Sequence, residues 1–239
     1  GDEGQSYNQY NEDLIQMRNV WLLIYSAIFA SCLSMLFFKR RSNFIAVGAL
    51  AMNSLVLLAF VTGGLFDLAT LRTSYIHQSL VEYYHRGLTY ILLRYLAVVV
   101  MIALLWFNHK ISRHQLFNVQ LRKSTQLYFH FIVLLLLSSE MVHWLELAKV
   151  ENSFRLSLSI LWGCYGLFLV VLGLSRDLKH VRVGGIVLFA FTLVKLFAYD
   201  MSDMSTILKT IVMVTLGALL LTASFIYNKY KSSTGNETP

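Results

Sequence analysis

Residues 44–65 read "FIAVGALAMNSLVLLAFVTGGL", a run that contains no charged side chain. A hydrocarbon core of about 30 Å is crossed by roughly 20 mostly apolar residues in a helix. A strand of a membrane barrel would instead alternate polar and apolar residues over about ten positions. Because this run is apolar throughout, it predicts a transmembrane helix.

Similar runs recur along the chain, and the composition agrees with them. Of the 239 residues, 56% are hydrophobic and 14% are charged, and the mean hydropathy is +0.59. Soluble domains carry about 25% charged residues. The sequence therefore predicts an all-α integral membrane protein, a bundle of about seven transmembrane helices. The predicted spans lie near 19–38, 44–65, 88–107, 127–147, 156–175, 183–199 and 206–227.

The distribution of Lys and Arg predicts how these spans are oriented. Most of the basic residues fall in the connections that contain 39–41, 110–123 and 176–182 and in the segment after the last span. Short cytoplasmic connections carry such an excess, so the N-terminus is predicted outside and the C-terminus in the cytoplasm. The predicted parts are an acidic extracytoplasmic segment (1–18), a seven-helix transmembrane domain (19–227) and a cytoplasmic polar tail (228–239).

The formal net charge of +7 fits the same arrangement. Basic flanks of membrane spans face the anionic lipid of the cytoplasmic leaflet, so the charge requires no nucleic-acid partner. The expected partners are the lipid bilayer and other membrane protein subunits, or further spans of a longer chain.

Ionisable residues inside the predicted spans are the candidates for a site. A charge near the bilayer centre costs about 2.5–3.5 kcal/mol. At 1.5 Å per residue, three of these groups lie roughly 18–20 Å above the cytoplasmic side. His143 shares a helix face with Glu140. An ion pair of Glu140 with Arg94 or Lys195 would neutralise the carboxylate. The predicted intramembrane polar cluster consists of Arg94, Glu140, His143, Lys195 and Asp200.

Two interpretations of this cluster remain open. The functional one is a polar chamber that opens to the outer side. The structural one is a set of buried ion pairs that set the register of the helices. A Glu-x-x-His pair holds a metal only when other helices supply further ligands, so neither a metal nor a cofactor is predicted. A regular helix also offers no oxyanion donors, and catalytic residues are left unassigned.

The last third of the chain has a recognisable pattern. It contains "RLSLSILWGCYGLFLVVLG", "VRVGGIVLFAFTLVKLFAYD" and "VMVTLGALLLTASFIYNKY". Over roughly residues 155–230 it resembles a family of large polytopic bacterial proteins known only as predicted membrane proteins of unknown function. The positions that carry the resemblance are Trp162, Tyr165, Gly173, Arg182, Gly185, Lys195, Asp200, Gly217 and Tyr227. The resemblance implies a multi-pass protein of the bacterial cytoplasmic (inner) membrane and, because such proteins are usually longer, a C-terminal piece or a short relative.

Function is predicted only in outline. The leading hypothesis is a non-enzymatic structural or partner-binding membrane module of the bacterial cell envelope. One alternative is a transporter or lipid-handling protein with a charged cavity in the outer leaflet. The other is a membrane enzyme that acts on a lipid-linked substrate.

Overall fold

All secondary structure in the described part of the chain is helical. The computed structural model describes residues 2–40, 42–78, 85–113, 117–149 and 154–196 and single positions between 207 and 221, with backbone only at 2–9 and 155. Its helices are α1 (Asp2–Arg40), α2 (Asn43–Ala59), α3 (Leu65–His77), α4 (Thr89–Ser112), α5 (Val119–Leu147), α6 (Phe154–Ser175) and α7 (Lys179–Lys195). Residues 1–139 form a first compact unit and residues 140–239 a second.

Within these described residues, five helical stretches are long and apolar enough to cross a membrane. They are Tyr10–Arg40, Asn43–His77, Thr89–Ser112, Val119–Leu147 and Leu156–Ser175, and they contain the first five predicted spans. Helix α7 covers the sixth predicted span as far as residue 195, whereas the seventh, 206–227, lies largely outside the described residues. The predicted all-α membrane fold is confirmed, and the inside-outside orientation stays a prediction.

The core of the first unit is built around α1, which packs against α2, α3 and α4. Buried residues recur along α1 every three or four positions, at Val20, Ile24, Ala27 and Ala30, which is the spacing of one helix face. They join a single apolar cluster with side chains of α2, α3, α4 and α5. Alanines on such a face allow neighbouring backbones to approach closely.

A π-helical segment, Phe60–Gly64, joins α2 to α3 without a break in the helix. A Cβ added at Gly64 would lie 2.7 Å from Phe60 Cδ2 and 2.8 Å from Leu23 Cδ1, so the glycine permits close packing on α1. The predicted span ended at residue 65, but the helix continues to His77. The reason is that Leu68 and Leu71 extend the buried face by one turn each.

In the second unit, α6 and α7 form an antiparallel hairpin closed by a three-residue turn. Asp177 adopts a left-handed conformation with φ of 50°. The Leu178 amide donates to the Gly173 carbonyl at 2.8 Å, and the Asp177 amide donates to the Leu174 carbonyl at 3.3 Å. These two bonds define a Schellman motif, so the chain reverses immediately at the end of α6.

Glycines set the distance between the two helices of this hairpin. A Cβ added at Gly185 would lie 2.8 Å from the Gly166 carbonyl oxygen and 2.8 Å from the Val170 nitrogen. A Cβ added at Gly173 would lie 2.5 Å from the Arg182 nitrogen. Because the obstructing atoms are backbone, only glycine fits at these two positions.

Candidate functional site

Arg94, the first member of the predicted polar cluster, is buried in α4 with 1% of its surface exposed. Its Nη2 donates to the Ser139 carbonyl oxygen at 3.0 Å and to Ser139 Oγ at 2.8 Å. A helical carbonyl retains acceptor capacity beside its own helix bond, so the guanidinium links α4 to α5 within the first unit. The pattern around Arg94 identified a buried cation but not this partner.

Glu140 and His143 lie on α5 at the beginning of the second unit. His143 has no exposed surface, and its ring meets that of Trp144 edge to face at 6.0 Å between centroids. Glu140 is half-buried. Asp200 lies outside the described residues.

Lys195 is the last residue of α7 and is half-buried. Its Nζ donates to Ser159 Oγ at 2.7 Å, and Ser159 is 2% exposed. The ammonium therefore links α7 to α6 inside the second unit. A hydrogen bond from a charged donor is stronger than a neutral one. This contact therefore holds α6 and α7 together in addition to the glycine packing.

The predicted cluster is thus divided between two units. Arg94 belongs to residues 1–139, whereas Glu140, His143 and Lys195 belong to residues 140–239. The common chamber, and the pairing of Glu140 with Arg94 or Lys195, stay predictions.

A second polar cluster, which the sequence analysis did not identify, lies at one end of the first unit. We define the Asp13 cluster as Asp13, Ser74, Arg86 and Tyr90. Arg86 Nε donates to Asp13 Oδ2 at 2.7 Å, and the two side chains are 1% and 4% exposed. Ser74 Oγ donates to Asp13 Oδ1 at 2.8 Å, and the Tyr90 hydroxyl donates to Oδ2 at 3.3 Å.

The Asp13 cluster joins three helices. Asp13 comes from the N-terminal part of α1, Ser74 from the C-terminal turn of α3, and Tyr90 from the first turn of α4. Both carboxylate oxygens accept hydrogen bonds, as a buried carboxylate requires. A buried ion pair rarely adds net stability, but the loss of one partner leaves an uncompensated charge. The arrangement therefore fixes how these three helices meet.

Gln78 holds the backbone that carries Arg86. It ends α3 in the left-handed region with φ of 46°. Its Nε2 donates to the Arg86 carbonyl at 3.0 Å, and its Oε1 accepts the Arg86 amide at 3.2 Å. The amide side chain thus bonds both backbone groups of Arg86.

One sequence signal could have revealed the Asp13 cluster. The buried face of α1 continues toward the N-terminus from Val20 through Met17 to Asp13, with steps of three and four residues. A carboxylate on that face requires a cation opposite. Asp13 lies in the predicted extracytoplasmic segment 1–18 and Arg86 in the connection 66–87, so the predicted spans do not bring the two residues together.

Hydrogen bonds between neutral groups join further helix pairs of the first unit. Asn53 Nδ2 donates to Ser34 Oγ at 3.0 Å, which joins α2 to α1. The Tyr128 hydroxyl donates to the Ser54 carbonyl at 2.9 Å, which joins α5 to α2. Interhelical polar contacts of this kind are typical of membrane bundles. They have no evident chemistry beyond packing.

The chemistry available to these groups is narrow. Ser159 and Lys195 lie within the distance of a nucleophile and its general base. However, Ser159 is almost fully buried in α6, where the backbone amides around it bond along the helix. Among the described residues of α6, these amides are therefore not free to act as oxyanion donors. Within the described residues, no three His, Cys, Asp or Glu side chains come together as metal ligands.

The comparisons with known proteins extend the resemblance over almost the whole chain. The model of the family described as "Predicted membrane protein (DUF2339)" matches residues 4–230, well beyond the last third that the sequence pattern indicated. No curated protein and no solved structure is significantly similar to this chain. The helical fold, with five stretches suited to crossing a membrane, agrees with the family description. The chain therefore belongs to this family of multi-pass membrane proteins, whose function is unknown.

Proposed function

We propose that this chain is a non-enzymatic, partner-binding membrane module of the bacterial cell envelope, resident in the cytoplasmic membrane with its N-terminus outside. The proposal rests on the partners that its charged side chains bind inside the bundle. Asp13 bonds Arg86, Arg94 bonds Ser139, and Lys195 bonds Ser159. Each contact joins two segments of the bundle, as a register-setting role requires.

The shape of the first unit supports the same proposal. Its open cleft, between α1 and α4, is lined by five apolar side chains and Thr89. A transporter or an enzyme with a charged outer cavity would need ionisable groups on such a wall. The buried charged groups described above instead face neighbouring helices.

Thiol accessibility tests this proposal. In a variant whose two free cysteines, Cys32 and Cys164, are replaced by alanine, we would introduce Ser139→Cys or Ser159→Cys. A membrane-impermeant charged thiol reagent should leave both positions unmodified in native membranes and modify them after denaturation, because Ser159 is buried and Ser139 is half-buried against Arg94 of α4. The measurement is the labelled fraction in intact cells and in inverted vesicles.

Arg113→Cys, at an exposed position in the predicted cytoplasmic connection after α4, is the matched control. It should be labelled in inverted vesicles but not in intact cells. Labelling at 139 or 159 in the folded protein would show a hydrated chamber and would favour the transporter or lipid-handling alternative. Labelling at 113 from outside intact cells would instead reverse the proposed orientation.

The partner-binding part of the proposal concerns the outward face of α2. Small residues at Gly48, Ala51, Ala59 and Gly63 are exposed along this face, and a Cβ added at Gly48 or Gly63 would meet nothing within 4 Å. Faces of small residues let a second membrane helix approach closely. We place a helix of a partner subunit, or of a longer chain, along this face.

Substitution of the exposed glycines tests the partner. Gly48→Leu and Gly63→Leu should reduce the mass of the complex in native electrophoresis of mildly solubilised membranes, because a leucine holds a partner helix away. The unfolding midpoint of the protein should not fall, since no neighbour is displaced. Val47→Leu, at a position 58% exposed on the same helix, is the control. An unchanged complex in both glycine variants would contradict the partner site.

A further inference from the structure

A half-open cleft lies between the N-terminal half of α1 and the first two turns of α4. Its volume is 360 Å³, and it is lined by Met17, Trp21, Thr89, Leu92, Leu93 and Leu96. Small-molecule sites begin at about 300 Å³, so the cleft can accommodate part of an extended hydrocarbon chain. It lies directly beside the Asp13 cluster, because Met17 is one turn from Asp13 and Thr89 precedes Tyr90.

The chemistry of the cleft indicates a hydrocarbon occupant. Three of its lining side chains are exposed apolar groups: Trp21 is 41% exposed, Leu92 61% and Leu96 42%. In a family of membrane proteins, such a face meets lipid. Because bulk lipid is as apolar as leucine, retention of an acyl chain in the cleft depends on close packing against these side chains and on a polar contact at the rim.

The rim of the cleft carries a cation beside the start of the first predicted span, 19–38. Arg18 is exposed on α1, between the cleft residues Met17 and Trp21. Its Nη2 donates to the neighbouring Asn19 Oδ1 at 3.3 Å, a long bond that leaves the guanidinium accessible. Guanidinium groups bind phosphate through parallel hydrogen bonds. Trp21 and Tyr25 lie beside Arg18 with ring centroids 5.9 Å apart, in the manner of an interfacial aromatic belt.

We propose that this cleft binds one acyl chain of a glycerophospholipid, whose phosphate is held by Arg18. The cleft then differs from an ordinary lipid-facing surface in retaining one lipid at a defined place. The proposal depends on the membrane setting and the cleft geometry, and it is independent of the partner face on α2.

Photo-crosslinking tests the inference. The full chain would be reconstituted in bilayers of phosphatidylglycerol and phosphatidylethanolamine that contain a phospholipid with a diazirine in its acyl chain. After irradiation, mass spectrometry would locate the labelled residues. We expect labelling to concentrate on residues 17–21 and 89–96, and native mass spectrometry should show one retained phospholipid after detergent exchange.

Two substitutions sharpen the test. Leu96→Trp, or Leu92→Trp if the first variant unfolds, should fill the cleft and abolish most of its labelling, because the indole takes the space of the acyl chain. Leu137→Trp is the matched control, because Leu137 is an exposed leucine of α5 that does not line the cleft and is 40% exposed. Arg18→Gln should lower labelling by the phospholipid but not by a diazirine fatty alcohol without phosphate.

Three results would overturn the proposal. Labelling spread evenly over the exposed faces of α2 and α4 would mean that the cleft is ordinary lipid-facing surface. Cleft residues that stay unlabelled while the surroundings of Leu137 are labelled would mean that a protein segment fills the cleft. Equal labelling of wild type and Arg18→Gln by the phospholipid would show that Arg18 does not hold the phosphate.

Discussion

Replacement of Gly173 by alanine is expected to destabilise the α6–α7 hairpin. The new Cβ would lie 2.5 Å from the Arg182 nitrogen, 2.7 Å from its Cβ and 2.8 Å from its Cα. Because two of these atoms are backbone, no side-chain rotation relieves the overlap, and the helices must separate. Overpacking of this kind costs about 1–3 kcal/mol and occasionally more, and we expect the upper end. Unfolding in mixed micelles with increasing SDS would measure it.

Gly163→Ala on the same helix provides the control with the opposite sign. The nearest atom to a Cβ at Gly163 is Phe189 Cε2 at 3.9 Å, an ordinary contact. Alanine is favoured over glycine in a helix by up to about 1 kcal/mol, so this variant should be as stable as wild type or more stable. If both variants were equally stable, the close approach of α6 and α7 at Arg182 would be disproved.

Asp13→Asn and Arg86→Met should each destabilise the first unit by about 3–5 kcal/mol, the cost of leaving a buried charge without its partner. Asp13→Asn leaves the guanidinium of Arg86 facing a neutral amide. Arg86→Met leaves the Asp13 carboxylate without its cation, beside the neutral hydroxyl donors of Ser74 and Tyr90. Thermal unfolding of the purified protein in detergent would measure both effects.

The double variant Asp13→Leu with Arg86→Met separates charge from packing. Apolar replacement of a whole buried pair is often nearly neutral, so the double variant should be more stable than either single one, with a coupling energy well above the experimental error. Glu12→Gln, at the exposed position beside Asp13, should change little. Additive losses in the double variant would show that Asp13 and Arg86 do not interact.

These two sites show which contacts hold the helices of each unit together. At Gly173 and Gly185 the second unit depends on backbone contact, and at Asp13 and Arg86 the first depends on a buried charge pair. Both devices specify which helix faces meet. Apolar side chains alone provide little such specificity in a membrane, because lipid is as apolar as leucine.

Much of the fold could be predicted from the chain itself. The span predicted at 88–107 corresponds to α4, Thr89–Ser112, and the span predicted at 156–175 corresponds to α6, Phe154–Ser175. Long apolar runs are reliable in this respect because the bilayer requires backbone groups to be satisfied within the segment. The span predicted at 44–65 was too short, because the π-helical segment Phe60–Gly64 continues the helix into α3.

The candidate site was predicted less completely. Arg94 and His143 were correctly placed inside helices, and both are buried. Their partners could not be predicted, because a hydrogen bond such as Arg94 to Ser139 depends on the rotation of α4 relative to α5. The Asp13 cluster was missed for the same reason: its members are far apart in sequence and come together only when α1, α3 and α4 meet.

The sequence by itself determined the class of this protein and the segments that cross the membrane. That part is local, since each span satisfies its own backbone and its own hydrophobic length. Only the tertiary structure decided that Asp13 meets Arg86, that Lys195 bonds Ser159, and that a cleft opens between α1 and α4. Those features depend on helix rotation and spacing, which small residues and buried polar groups set through contacts between distant parts of the chain.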